Sequence, residues 1–104
     1  MRKIASRMRL KAGNLAEYRR RHDLLWPELA ALLKEGGVED YPIHHDPETD
    51  ALFAVMWCDA PERLTALANH PVMRRWWTHM APLMDTHPDL SPISIPLETV
   101  FHLA

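Results

Sequence analysis

The sequence predicts an α+β fold with the ferredoxin-like split βαβ arrangement, in the order β-α-β-β-α-(α)-β. Three observations predict it. Apolar and polar residues alternate near both ends of the chain, as they do in half-buried strands. A long stretch with apolar residues at three- and four-residue steps follows the first alternating segment, as in an amphipathic helix. A short run in the middle is apolar without alternation, which is typical of a strand covered on both faces.

The first strand is predicted over residues 3–10, where Ile4, Met8 and Leu10 lie on one face. Gly13 and Asn14 then end it. Asn14 has the chemistry of a helix N-cap, and Glu17 stands at the position that completes a capping box. We therefore expect a helix to begin immediately after Asn14.

This first helix is predicted over residues 15–35 and ends at the pair Gly36-Gly37. Pro27 lies inside it and removes one backbone hydrogen bond, so we expect a kink near Leu25 and Trp26. The predicted apolar stripe consists of Leu15, Tyr18, His22, Leu25, Leu29, Leu32 and Leu33.

Two further strands are predicted next, over residues 38–46 and residues 51–58. Pro42 cannot donate to a strand ladder, so the first of them is an edge strand or contains a bulge. Residues 46–50 have the composition of a turn. Residues 51–58 are apolar at almost every position, so this strand should be central and covered on both sides.

The last third of the chain contains two proline-initiated helices, a loop and a closing strand. Pro61 begins a helix through Asn69, and Pro71 begins another through Met84. Residues 86–96, rich in Pro, Ser and Asp, are predicted to form an extended loop. Residues 97–103 alternate again and are predicted to form the last strand.

Helices in this arrangement cover one face of the sheet only, whereas the central strand is apolar on both. A second copy of the chain is the simplest cover for the other face. The sequence therefore predicts a homodimer of the dimeric α/β-barrel kind.

Length, composition and charge favour one domain over residues 1–104 and a cytoplasmic location. The chain has no apolar run long enough for a membrane span, and its start lacks the apolar stretch of a signal peptide. Its single cysteine, Cys58, fits a buried thiol in a reducing compartment. A net charge of −2 gives no reason to expect nucleic acid or a membrane surface as partner. The one basic run, Arg19-Arg20-Arg21, is interpreted as a solvated face.

Tyr18 and His22 are four residues apart, so they lie one turn apart on the predicted apolar stripe. One interpretation is a buried, hydrogen-bonded pair that fills space. The other is acid/base catalysis, because the proton affinity of His is near neutrality and Tyr can orient a substrate hydroxyl. The sequence pattern alone leaves both open.

Trp76 and Trp77 are adjacent on a predicted helix, so their side chains point about 100° apart. One interpretation is a core Trp beside a partly exposed one. The other is a carbohydrate platform, since an indole offers a flat apolar face and an N–H donor. Trp26, beside Pro27, is interpreted as a packing residue.

No cofactor or metal site is predicted. His44 and His45 are neighbours on a strand and point to opposite faces, so they cannot easily ligate one ion. The three glycines, Gly13, Gly36 and Gly37, form no phosphate-binding loop.

Several segments together resemble the L-rhamnose mutarotase family. The most specific is residues 18–29, which contains Tyr18, His22 and the run Trp26-Pro27-Glu28-Leu29. The family's pattern is also matched by Arg75-Trp76-Trp77 with Met80 and Met84, by Tyr41-Pro42-Ile43, by Ser91-Pro92 and by Glu98-Thr99-Val100-Phe101. The resemblance extends over nearly the whole chain.

This resemblance implies an isomerase of the dimeric α/β-barrel kind that interconverts the α and β anomers of L-rhamnose without a cofactor. It implies that His22 is the proton donor and that Tyr18, Tyr41, Trp76 and Trp77 contact the substrate. His44-His45 departs from the aromatic or aliphatic strand expected there, which makes the pocket wall and the exact sugar less defined than the reaction.

Two other functions are compatible with the same fold. Haem-degrading and quinol-type monooxygenases of the dimeric α/β-barrel kind also combine His and Trp, and fold alone does not separate them from a mutarotase. A non-enzymatic, dimeric sugar-binding module would bind the ligand without accelerating anomer exchange.

Overall fold

The computed structural model describes residues 2–104 and has the α+β, ferredoxin-like arrangement that the sequence predicts. Its strands are β1 (Arg2–Arg9), β2 (Val38–Asp40), β3 (Ile43–His45), β4 (Ala51–Cys58) and β5 (Ile95–Leu97). Its helices are α1 (Leu15–Asp23), α2 (Pro27–Glu35), α3 (Pro61–Leu67) and α4 (Pro71–Met80), followed by a 3₁₀ turn at Ala81–Leu83. Among the described residues no helix is both long enough and apolar enough to cross a membrane.

The five strands form one antiparallel sheet in the order β2-β4-β1-β5, with β3 also paired to β4. β4 is central, as predicted. It pairs along its full length with β1, with Met8 opposite Leu52 and Ser6 opposite Ala54. Its other edge is shared by β2 and β3, which form successive pairings along it.

The two faces of β4 differ in burial. Leu52, Ala54 and Cys58 point toward the helices and are buried. Phe53 and Val55 on the opposite face are half-buried, and Trp57 is exposed. The described residues therefore cover β4 fully on one side only, and they do not supply the cover that the sequence predicts for its other side.

The prediction of one kinked helix over residues 15–35 is wrong in one respect. The segment forms two separate helices. α1 ends at Asp23, and Trp26 has the extended backbone angles φ −63° and ψ 129°. Proline disfavours the helical conformation of the residue before it and is well suited to the first position of a helix. Pro27 therefore begins α2 instead of kinking α1.

The predicted capping box is also wrong. The Asn14 side chain makes no cap hydrogen bond, and its amide nitrogen donates to the carbonyl oxygens of Lys11 (3.2 Å) and Ala12 (3.1 Å). The Glu17 carboxylate accepts hydrogen bonds from Arg20 and Arg21 instead. Charged donors on the same helix satisfy Glu17 better than a backbone N–H, because ionised donors give the stronger hydrogen bonds.

The second predicted strand, residues 38–46, is interrupted at Tyr41-Pro42 and becomes β2 and β3. The pairing register shifts within β2, between Val38 and Asp40, and the carbonyl oxygen of Pro42 accepts a hydrogen bond from the backbone N–H of Val55 at 3.0 Å. The predicted irregularity in this edge strand is thus confirmed.

The ends of the last two helices are earlier than predicted. α3 ends at Leu67 instead of Asn69, and α4 ends at Met80 instead of Met84. Pro82 has no N–H to continue the α-helical hydrogen bonds, so the chain tightens into the 3₁₀ turn at this point.

The prediction of a closing strand over residues 97–103 is wrong. β5 covers Ile95–Leu97, and residues 98–104 have no regular structure. Val100 and Phe101 are 93% and 71% exposed. Alternation makes a strand only where a neighbouring strand accepts its hydrogen bonds, and β1 pairs with β5 only at Ala5, Ser6 and Arg7.

Candidate active site

A cavity of about 320 Å³ lies between the helix-covered face of the sheet and the helices. All five residues that the sequence marks as site candidates line it, namely Tyr18, His22, Tyr41, Trp76 and Trp77. They come from α1, from the Tyr41-Pro42 interruption and from α4, so the fold brings together residues that are far apart in sequence.

The rest of the cavity wall is apolar and rich in methionine. It consists of Met8, Leu25, Leu29, Leu33, Ile43, Met56, Leu64, Met73, Met80, Met84 and Pro92. The leucines of the predicted helix stripe contribute part of it. Met8 and Met56, from adjacent strands, were predicted only as strand residues, since nothing local in the sequence shows that their side chains line an open space and not a filled core.

Tyr18 and His22 are one turn apart on α1, with ring centroids 4.4 Å apart. The His22 Nδ1 lies 3.0 Å from the backbone carbonyl oxygen of Tyr18. A carbonyl oxygen only accepts hydrogen bonds, so Nδ1 carries the proton and donates. In the neutral ring Nε2 is then the unprotonated nitrogen, available to accept a proton. No protein hydrogen bond to Nε2 is found within residues 2–104.

Burial lowers the pKa of His22 below its ordinary value of 6.5. The bond to the Tyr18 carbonyl and the charge of Asp23 oppose this effect but do not overcome it. The apolar surroundings disfavour the imidazolium, so the neutral ring predominates at neutral pH.

Tyr18 is buried, and burial raises the pKa of its phenol well above the ordinary value of 10.0, with a smaller contribution from Tyr41. The Tyr18 hydroxyl therefore keeps its proton throughout the neutral range. The site thus combines a proton acceptor on His22 with a hydroxyl that can donate a hydrogen bond.

Trp76 is 7% exposed and is held by aromatic rings on two sides. The His22 ring meets it edge-on at 5.4 Å and 89°, and the Trp26 ring meets it at 5.1 Å and 84°. Such edge-to-face pairs are favourable beyond the burial of area alone. Trp26 is the packing residue that the sequence predicts, and it packs against a candidate site residue.

Trp77 is half-buried, and the Arg74 guanidinium carbon lies 5.3 Å from its ring centroid. Although adjacent residues on a helix point in different directions, both Trp76 and Trp77 line the cavity. Their burial agrees with the interpretation of a core Trp beside a partly exposed one, and their shared position at the cavity is also compatible with a carbohydrate platform.

The interpretation of Arg19-Arg20-Arg21 as a solvated face is wrong for Arg21. Its side chain is 20% exposed, against 60% for Arg20. Arg21 reaches the carbonyl oxygen of His79, which lies 58 residues away in the chain. A contact with such a distant residue has no local signal in the sequence.

Among the described residues, no group of three or more His, Cys, Asp or Glu side chains could hold a metal ion. His44 is exposed, and the Nε2 of His45 lies 3.0 Å from a carboxylate oxygen of Asp50. Their side chains thus diverge as strand neighbours do.

The fold and the cavity define a small enzyme of the dimeric α/β-barrel class, with an aromatic, apolar pocket that contains one imidazole and two phenols. The family profile described as L-rhamnose mutarotase matches residues 3–103. The chain belongs to the L-rhamnose mutarotase family, whose members are isomerases acting on carbohydrate anomers.

Individual relatives agree with this assignment. The chain is similar to an L-rhamnose mutarotase of Jannaschia sp. strain CCS1, with 55% identity over 103 residues that cover 99% of each chain. It is also similar to the crystal structure of an L-rhamnose mutarotase from Formosa agariphila, with a TM-score of 0.93, 43% identity and complete coverage of both chains. A tetracenomycin F2 cyclase from Streptomyces glaucescens shares the fold alone, with a TM-score of 0.67, 15% identity and coverage of 100% and 98%.

The lowered pKa of His22 predicts a stability change with pH. The unfolded chain binds this proton more tightly than the folded chain. The contribution of His22 to the free energy of unfolding is therefore fully present above pH 6.5, and it is lost as the pH falls through the lower pKa of the folded state. His22→Asn keeps a polar group at this position but removes the titration. We expect urea unfolding to show a smaller loss of stability between neutral and mildly acidic pH in the variant than in the parent. Parallel pH profiles would contradict the prediction.

Proposed function

We propose that the chain interconverts the α and β anomers of L-rhamnose and that His22 transfers the proton. The observation that supports this proposal is the position of His22 in the cavity wall, with Nδ1 donating to the Tyr18 carbonyl and with no hydrogen bond to Nε2 from the described residues. The names of the relatives support the reaction and the sugar.

Mutarotation opens a cyclic hemiacetal and closes it again on the other face of the carbonyl carbon. A base takes the proton of the anomeric hydroxyl, the bond between the anomeric carbon and the ring oxygen breaks, and the base, now protonated, donates the proton to the ring oxygen. Closure on the other face of the carbonyl carbon reverses these two transfers. No electron transfer and no covalent enzyme intermediate are required. Neutral His22 suits the first of these steps because its pKa lies below the neutral range.

The phenols of Tyr18 and Tyr41 are the hydroxyl groups of the cavity wall, and we propose that they orient the sugar hydroxyls. Trp76 and Trp77 provide flat apolar surfaces for the C–H face of a pyranose ring, with indole N–H donors at their edges. The methionine-rich wall suits the methyl group of a 6-deoxy sugar, since this group gains from leaving water. A cofactor has no step to perform in this scheme.

The haem-degrading and quinol-type monooxygenase alternatives are not favoured. The similarity to mutarotases extends over the full chain at high identity, whereas a relative such as the cyclase shares only the fold. A sugar-binding module without catalysis differs from the proposal in one measurable property, the rate of anomer exchange.

We also propose that the chain acts as a homodimer in the cytoplasm. The outer sheet face carries apolar residues from three strands, with Lys3 and Arg7 of β1 among them; the apolar residues are Ala5, Phe53, Val55, Trp57, Ile95 and Leu97. A second copy would bury this face symmetrically, in agreement with the fold class. Cys58 is free and fully buried, as suits a reducing compartment.

The first prediction from the proposed function concerns His22. His22→Ala and His22→Asn should fold but lose about 10²–10⁴-fold in anomer exchange, the usual contribution of a general acid/base. Asn can hold a hydroxyl but cannot exchange a proton near neutral pH, so it separates proton transfer from positioning. Saturation-transfer NMR between the anomeric proton signals of L-rhamnose gives the rate, and circular dichroism gives the fold.

His44→Asn is the matched control, because His44 is exposed and does not line the cavity. It should exchange anomers at the parental rate. Near-normal exchange by His22→Asn would show that His22 only orients the sugar.

The second prediction concerns Trp77. Trp77→Ala should weaken sugar binding by about 1–3 kcal/mol, or about 5- to 150-fold in Kd, through the lost stacking surface. Trp76→Phe tests the other indole while keeping an aromatic ring in the core. Titration of ligand-induced NMR shifts gives the Kd, and Trp57→Phe on the outer sheet face is the control. Parental affinity in both cavity variants would assign the pair to packing alone.

The third prediction concerns assembly. Sedimentation equilibrium at micromolar concentration should give twice the chain mass of 12.1 kDa. Val55→Asp places a charge in the outer apolar face and should shift the equilibrium to monomer, because burying an unpaired charge is costly. A monomeric parent chain would rule out the homodimer.

A further inference from the structure

The two halves of the candidate site lie on different helices. α1 carries Tyr18 and His22, and α4 carries Trp76 and Trp77. The 5.4 Å edge contact between the His22 and Trp76 rings depends on how these helices are held together. A ring contact restrains the separation of the helices less than a hydrogen bond from an ionised donor, which is shorter and more directional. A directional bond between the helices would fix it better.

Arg21 supplies such a bond. Its Nε donates to a carboxylate oxygen of Glu17 at 2.7 Å, and its terminal nitrogen donates to the backbone carbonyl oxygen of His79. The first partner is one turn back on α1, and the second is in the last turn of α4. The guanidinium fork is planar and rigid, so holding one side on α1 directs the other side to α4.

The His79 carbonyl is a suitable anchor. It lies in the last turn of α4, at the negative end of the helix dipole, where a cationic donor is favoured. The His79 ring also lies 5.6 Å from Trp76 and 5.5 Å from Trp26. Arg21 therefore binds the same turn that supports the Trp76 ring.

The partial burial of Arg21 strengthens its hydrogen bonds between α1 and α4, since exposed ion pairs contribute little to stability. Glu17 keeps its charge across the working range, because its hydrogen bonds to Arg20 and Arg21 lower its pKa to about 2. The ionised carboxylate orients the Arg21 fork at any pH where the enzyme is expected to act.

We propose that Arg21 is a positioning residue for His22, tying α1 to the end of α4 so that the His22 ring keeps its place against Trp76. Its catalytic consequence rests on the proposed function of His22 in anomer exchange. Arg21 itself does not line the cavity and does not touch the reacting atoms.

Arg20 provides a matched control. It binds the same Glu17 carboxylate, at 2.8 Å and 2.7 Å, but its side chain is 60% exposed and its hydrogen bonds remain on α1. Arg20→Ala removes a neighbouring charge and the same carboxylate contact. It leaves the tie between the helices in place.

The experiment compares Arg21→Ala, Arg21→Lys and Arg20→Ala in the full chain. We expect Arg21→Ala to lower the exchange rate at saturating L-rhamnose about 10- to 100-fold, since small misplacements of a catalytic group have effects of this size. Arg21→Lys should be intermediate, because a single ammonium cannot reproduce the two-sided fork. Arg20→Ala should stay within about 2-fold of the parent.

A second measurement does not depend on activity. The His22 ring protons are followed by NMR through a pH titration of each variant. Loosening of the helices admits water to His22, so in Arg21→Ala its pKa should rise toward 6.5, whereas in Arg20→Ala it should not change. A pKa that is unchanged in Arg21→Ala would overturn the proposal, and so would equal exchange rates in Arg21→Ala and Arg20→Ala.

The failures of the two proposals are distinguishable. A parental rate of anomer exchange in His22→Asn would show that His22 has no catalytic function. A raised His22 pKa in Arg21→Ala would still support the positioning role of Arg21. In the His22→Asn background, Arg21→Ala should cause little further loss if Arg21 acts through His22. A further 10-fold or larger loss there would show that Arg21 acts by another route.

Discussion

The proline at position 27 constrains the whole arrangement of the candidate site. The residue before a proline avoids the helical conformation, so the chain leaves α1 at Leu24 and turns through Trp26 before α2 begins. The turn separates α1 from α2. It leaves Tyr18 and His22 at the cavity and places the Trp26 ring edge-on against Trp76. One backbone restriction thus contributes both to the shape of the cavity and to the support of its indole wall.

The cavity keeps polar groups in apolar surroundings, which has an energetic cost unless they are hydrogen-bonded. His22 meets this requirement with Nδ1 alone, through the Tyr18 carbonyl. Satisfying one ring nitrogen on the helix leaves the other for a ligand. Burial then keeps the ring neutral at the pH where it is expected to act. The apolar wall that is proposed to bind the C–H face of the sugar therefore also sets the protonation state of the residue proposed to transfer the proton.

Much of the fold follows from local sequence signals. The bounds of β4 and the starts of α3 and α4 were predictable, since a continuous apolar run and a proline at the first helical position act within a few residues. The end of β5 was not, because strand pairing depends on the partner and not on alternation alone. The five candidate site residues were predictable from Tyr18 and His22 on one helix face and from the family resemblance. Their placement around one cavity needed the fold, as did the contact of Arg21 with α4.

The site and the outer sheet face are separate features of the same sheet. Side chains alternate along β4, so Met56 lines the cavity while its neighbours Val55 and Trp57 point the other way. All five candidate site residues line the cavity on the helix-covered side of the sheet. A partner on the outer face would therefore stabilise the sheet that carries Met8 and Met56 without contributing to the cavity wall from that face. Substitutions on the outer face should then change assembly and stability together, and should affect anomer exchange only through the sheet.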